Sequence, residues 1–226
     1  MKEKPMVSRL FMMIAVTYVT CLLLSNLIAG KMWAVTESIT LPAAVILFPV
    51  TYILGDVFTE VYGFKNARTV IWLGFGASFF AVAVYLIVIA LPHPAFFEAQ
   101  DAYKIVLGTT PRVAAASFIG YLFGEFSNSM ILSKLKVKTN GRLLWVRTIL
   151  STVVGEGFDS VIFITISFFG TMENGVLLRM ILFQYLFKVL YEIIFTPVTY
   201  AVTGWLKKKE QIDTYDHDVK YNVIGQ

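Results

Sequence analysis

The sequence predicts an all-α integral membrane protein with six transmembrane helices. Three observations lead there: 57% of the 226 residues are hydrophobic, only 15% are charged, and the apolar residues come in long unbroken runs. Soluble domains are about 45–50% apolar and about 25% charged, so a chain of this composition satisfies its apolar surface in lipid. Runs close to the roughly 20 residues that a helix needs to cross a hydrocarbon core lie at 9–30, 41–62, 69–91, 112–133, 146–170 and 176–206. None alternates apolar with polar at period two as a barrel strand does. A spanning segment must also satisfy its backbone internally, so all six read as helices.

The first run follows the basic stretch "MKEKPMVSR", as a signal peptide would, but it is too long and no small-x-small cleavage site closes it. It is read as an uncleaved helix. It holds the one cysteine, Cys21, so no intrachain disulfide and no thiolate metal cluster can form. Pro42 and Pro49 in the second run, and Pro197 in the sixth, predict kinked or interrupted helices. The third run carries no acid or base, whereas the second, fourth, fifth and sixth do. Connections are short, which gives one membrane domain over 1–206 and a polar tail over 207–226, "KKKEQIDTYDHDVKYNVIGQ".

Orientation follows from the flanking bases. With a cytoplasmic N-terminus, fourteen Lys and Arg residues fall inside and four (Lys31, Lys104, Arg112 and Arg179) fall outside, as the positive-inside rule expects. Both termini are therefore expected in the cytoplasm. The net charge of +4 then reports topology, and no nucleic-acid partner is read into the basic loop "LSKLKVKTNGR".

The two halves echo each other. Ser25-Asn26 in "LLSNLIAGK" answers Ser127-Asn128 in "EFSNSMILSK", and "GDVF" at 55–58 answers "GEGF" at 155–158, at nearly constant offsets of 102 and 100 residues. A three-helix unit repeated once must be inverted, and inverted repeats are a mark of transporters whose substrate sits near the midplane.

Ionisable residues inside the runs are Asp56, Glu60, Glu125, Glu156, Asp159, Lys188 and Glu192. Each is costly in lipid and is expected to face the bundle interior. Asp56, Thr59 and Glu60 lie at i, i+3, i+4; Glu125 with Asn128, and Glu156 with Asp159, at i, i+3; Gln184, Lys188 and Glu192 at i, i+4, i+8. Four helices thus each offer one polar face, and together these faces could wall a chamber rich in carboxylate. Plainer readings stand beside this one. Lys188 and Glu192 could neutralise each other, Glu60 could clamp Lys65 or Arg68, and Asn26 and Asn128 could be interhelical glue. Tyr52, Phe58, Phe126, Phe158 and Tyr185 adjoin the acidic faces and could stack on a flat ligand. The glycines before three acids (Gly55, Gly124 and Gly155) read either as helix packing or as thinning around a cavity. A carboxylate accepts two parallel hydrogen bonds from a planar N–H/NH₂ edge of the guanine type. The spacing itself does not choose a purine over another cation-bearing solute.

The segments "SNLIAGK", "FPVTYILGDVFTEVYGFKNAR", "GEFSNSMILSKLK" and "RTILSTVVGEGFDSVIFITISF" together resemble the queuosine precursor transporter family, also called the putative vitamin uptake transporter family. The resemblance runs from about residue 8 to 206. It implies a carrier in the bacterial inner membrane for 7-cyano- and 7-aminomethyl-7-deazaguanine, or the base queuine, salvaged for tRNA modification. It also implies a likeness to the six-helix substrate-binding subunits of energy-coupling-factor vitamin transporters, which is the alternative function. On this reading Glu125 or Glu156 reads the guanine edge, Asp56 or Asp159 takes the pendant group or a coupling proton, and Asn26, Asn128 and Gln184 complete the ring contacts. Lys188 joins the substrate-binding set, and Glu60 and Glu192 have coupling or structural roles. No cofactor or metal is expected. The partners are the bilayer and the small solute; a homodimer is compatible with the sequence, though no single helix face argues for it. An enzyme is not expected, because the chain lacks GxSxG and HExxH and places His93 and His217 in a loop and the tail. A passive channel would need an oligomeric ring of acids that one sequence does not display.

Overall fold

The computed structural model describes residues 8–37, 39–108 and 111–223. Its backbone is mostly helical. Helix α1 (Arg9–Ile28) starts at Ser8, whose hydroxyl accepts the Phe11 amide and so caps the first turn. An antiparallel hairpin follows, β1 (Met32–Thr36) and β2 (Ile39–Pro42), with Trp33 opposite Leu41 and Ala34 opposite Thr40. A 3₁₀ turn (Ala43–Ile46) leads into α2 (Phe48–Val57), a π turn (Phe58–Tyr62) and then α3 (Phe64–Ala90). A short helix α4 (Gln100–Leu107) precedes the long α5 (Pro111–Lys138), α6 (Leu144–Phe168) and α7 (Asn174–Glu210).

Among the described residues, three helices are long and apolar enough to cross a membrane by length and composition: α1, α3 and α6. α5 and α7 are longer, at 28 and 37 residues, and carry the charged faces noted above. The stretch read as one helix over 41–62 departs most from expectation. Pro42 closes a strand there, and Pro49, in the first turn of α2, lacks an N–H where none has an intrahelical partner. Pro197, by contrast, is carried inside a continuous α7. The hairpin was not foreseen; β-branched and aromatic residues in "MWAVT" and "ITLP" suit a short exposed ribbon more than a helix end.

Successive helix ends alternate between two poles. The hairpin lies at one, together with the α5 start and the α6 end, where Arg112 donates to the carbonyls of Ile166 and Phe169. Gly63, the α5–α6 turn and the chain after α7 lie at the other. An apolar core of Tyr18, Leu22, Val57, Phe58, Val61, Phe64, Val70, Ile71 and Phe126 packs α1, α2 and α3 against α5. α5 and α6 approach more closely than bulky side chains permit: a Cβ on Gly155 would stand 2.8 Å from the Gly124 carbonyl and 2.9 Å from Asn128 Cβ. Gly155→Ala is accordingly expected to force the helices apart and cost about 1–3 kcal/mol, read as a lower unfolding midpoint in detergent.

Candidate functional site

One face of α6 is buried along its length, through Arg147, Thr148, Ser151, Thr152, Gly155, Glu156, Asp159 and Ser160. The buried face of α7 opposes it with Met180, Gln184, Lys188, Glu192 and Thr196. Both stripes follow the helical period, so each helix turns one polar line inward and its apolar residues outward.

Lys188 binds across this interface. Its Nζ donates to Asp159 Oδ2 at 2.5 Å and lies 2.7 Å from Glu156 Oε2. The same ammonium sits 5.2 Å from the centre of the Tyr52 ring on α2, which adds a cation–π contact. Two acids therefore share one cation, and Lys188 turns toward α6. Farther along, Asn128 Nδ2 on α5 donates to Asp56 Oδ1 on α2 at 2.6 Å, and Glu192 stands beside Asp56. Between the two groups lies Glu125, only 1% exposed. Neither of its carboxylate oxygens meets a hydrogen-bond donor at bonding geometry among the described residues. Its polar neighbours are Glu156, Asp159, Lys188 and the Tyr18 hydroxyl. Gly55 makes room for it, because a Cβ there would come within 2.9 Å of Glu125 Oε2. A buried carboxylate in this setting either holds a proton or receives donors from a ligand.

Asp56, Glu125, Asn128, Glu156, Asp159, Gln184, Lys188 and Glu192 are all buried and gather where α2, α5, α6 and α7 meet. Asn26 stands apart from them. It donates to Ser78 on α3 at 3.2 Å and accepts from Ser117 on α5 at 2.7 Å, an interhelical tie nearer the hairpin pole. Of the five aromatic residues that adjoin the acidic faces in sequence, Tyr52 alone has a ring contact with a charge of this cluster. Phe58 packs on Phe11, Tyr18 and Tyr62, Phe126 on Trp72, and Phe158 points outward at 48% exposure.

Glu60 forms a second centre nearer the other pole. The clamp expected with Lys65 or Arg68 is made with other bases. Arg147 on α6 grips the carboxylate with both amino groups, at 2.5 and 3.2 Å, and Lys207 on α7 donates to it at 2.6 Å. Lys136 on α5 donates to the Glu60 carbonyl and to Asp213, each at 2.5 Å. The physical reason is the break at Gly63 (φ 81°), which ends this segment, so Lys65 and Arg68 open α3 on another axis and helical spacing from Glu60 no longer holds. Arg147 and Lys136, read as cytoplasmic flanking charges, are 0% and 2% exposed.

Sequence reasoning missed Tyr18 and Tyr121, whose hydroxyls lie 2.9 Å apart; that of Tyr121 donates to the Ile71 carbonyl, and that of Tyr18 neighbours Glu125. The signal was faint, because Tyr18 stands among Thr17 and Thr20 and Tyr121 shares its run with Ser117.

A family model described as "Putative vitamin uptake transporter" matches residues 42–202, a span that holds every element from α2 to most of α7. A Bacillus subtilis (strain 168) protein named "Probable queuosine precursor transporter" is 29% identical over 168 residues, covering 74% of this chain and 73% of its own length. The "Queuosine precursor transporter" of Escherichia coli (strain K12) is 24% identical over 158 residues, 69% of each chain. No solved structure matches. A membrane helix bundle with buried carboxylates, matched over this length, belongs to the vitamin uptake transporter family, and its relatives carry the name queuosine precursor transporter.

Proposed function

We propose that the chain imports 7-deazaguanine precursors of queuosine across the bacterial inner membrane, and that the cluster around Glu125 is their binding site. The observation that carries this reading is a buried carboxylate that meets no donor at bonding geometry among the described residues and has the Tyr18 hydroxyl as a neighbour, flanked by an Asn–Asp pair and a Lys–Glu–Asp triad. A 7-deazaguanine presents a planar N–H/NH₂ edge that would supply Glu125 with two charge-assisted hydrogen bonds. Asp159 or Glu156, released in part from Lys188, would hold the ammonium of the aminomethyl form. Asp56, Asn128 and Gln184 would complete the wall, with Glu192 in a coupling role beside Asp56. Asn26, by its place between α1, α3 and α5, would act as an interhelical tie on the way to the site. The names of the two relatives support the substrate class.

The architecture that goes with this function is six crossings in two inverted halves within residues 1–206, both termini cytoplasmic, and a tail over 207–226. The α2 region and α3 to α7 (without the short α4) supply five of those crossings and α1 the first. Binding of 7-aminomethyl-7-deazaguanine, its cyano analogue, queuine and guanine to the detergent-purified protein tests the reading. Selective micromolar or tighter binding of a deazaguanine is expected. Equal binding of guanine, or none of any, overturns the substrate. Uptake by vesicles that contain this chain alone, without ATP, separates a self-sufficient carrier from a capture subunit.

A further inference from the structure

The charges at the tail pole form one connected structure that the binding site does not use. Glu60 (π turn), Lys136 (α5), Arg147 (α6) and Lys207 (α7) join four elements, and Asp213, just past α7, accepts from Lys136 at 2.5 Å and lies 3.0 Å from Lys207. Partial burial opposes ionisation of Asp213, but the two ammonium groups outweigh it and hold its carboxyl below the usual range. The chain beyond then folds back over the helix ends. The Thr214 amide donates to the Val61 carbonyl, and Lys136 to the Thr214 carbonyl. Asp216 accepts the Phe64 amide at 2.8 Å and the Ser133 hydroxyl at 2.5 Å, so it caps α3 and ties it to α5. Arg68 and Trp72 of α3 reach the backbone at Asn222 and Val223.

The opposite pole differs. There a cleft of about 330 Å³ opens between the hairpin and the α7 start, lined by Glu37, Thr40, Arg179, Met180 and Phe183. Met180 is one turn from Gln184 on the buried stripe of α7. A cleft that borders the buried stripe of α7 thus lies on the hairpin side, and a buried ion network on the tail side.

We infer that the Glu60–Arg147–Lys136–Lys207 network, strapped by residues 211–223 through Asp213 and Asp216, is the inner gate of the transport cycle. The inference rests on the transporter reading. A carrier must keep one face shut while the other is open, and the four helices that wall the site are the ones this network pins. Lys136, Arg147, Lys207 and Asp213 act as positioning residues: they touch no substrate and hold the exit closed. Asp213, at 43% side-chain exposure, is the solvent-side member and the place where the strap can release first.

The test uses a single cysteine at Ser151 in a Cys21→Ala background. Ser151 is fully buried, one turn beyond Arg147 toward Glu156. A membrane-impermeant thiol reagent is applied from the tail side of oriented vesicles. Asp213→Asn, with no substrate present, is expected to raise the labelling rate by about tenfold, the effect of a modest shift in a two-state equilibrium; a deazaguanine is expected to do the same in the chain with Asp213 intact. Unchanged labelling in Asp213→Asn, in protein that elutes and melts as the parent does, overturns the gate. Should that variant fail to fold, Asp216→Asn, which keeps the ion network but weakens the strap, is read in the same way. A positive Asp213 result with no substrate response leaves the gate standing and removes the substrate assignment.

Discussion

Lys188→Met is expected to be the most damaging single change in the bundle, costing about 3–5 kcal/mol of stability and abolishing uptake. The ammonium is shared by Asp159 and Glu156, at 2.5 and 2.7 Å, and all three side chains are almost wholly buried. Methionine fills nearly the same space, so the loss is electrostatic: two carboxylates remain with no counter-charge in a medium that solvates them poorly. The measurement is the unfolding midpoint in detergent. The companion double variant, Lys188→Met with Asp159→Asn, is expected to recover part of the loss, because one of the two unpaired charges, the one at Asp159, leaves with its partner. A single variant as stable as the parent would show that the ammonium does not balance this pair.

Glu125→Gln is expected to act in the opposite manner, sparing the fold and striking the ligand. Its carboxylate has the Tyr18 hydroxyl as a neighbour, which an amide oxygen can still accept, and an amide is cheaper to bury than a carboxylate, so the midpoint should hold or rise. Binding of 7-aminomethyl-7-deazaguanine should weaken by about 10- to 100-fold, the value of hydrogen bonds to a charged group at about 1.5–3 kcal/mol. Retained affinity would take Glu125 out of the site. The two variants thus divide the cluster into a part that holds the helices together and a part held ready for a solute.

Much of this was legible in the sequence. The i, i+3 and i, i+4 spacing of acids on apolar helices brought Asp56, Glu125, Asn128, Glu156, Asp159, Gln184, Lys188 and Glu192 to one place, because burial leaves such residues no other face to occupy. Partners were harder to read. Helical spacing put Lys188 with Glu192 and Glu60 with Lys65 or Arg68, whereas both acid–base pairings run between helices, which no local rule reports. Asn26 belongs to another junction for the same reason: its half-repeat match gives its place along a helix but not the neighbour across from it. The tail looked featureless because its contacts are mostly backbone groups and two aspartates that acquire meaning only against the ends of α3 and α5.

The π turn over Phe58–Tyr62 leaves no loop between Asp56 and Glu60. Both acids face the same neighbours at two depths: Asp56 meets Asn128 on α5 and stands beside Glu192 on α7, and Glu60 is held by Arg147 on α6 and Lys207 on α7 while its carbonyl accepts from Lys136 on α5. One continuous segment thus carries a rung of each centre, like two steps of a single ladder, so a shift of that segment moves both together.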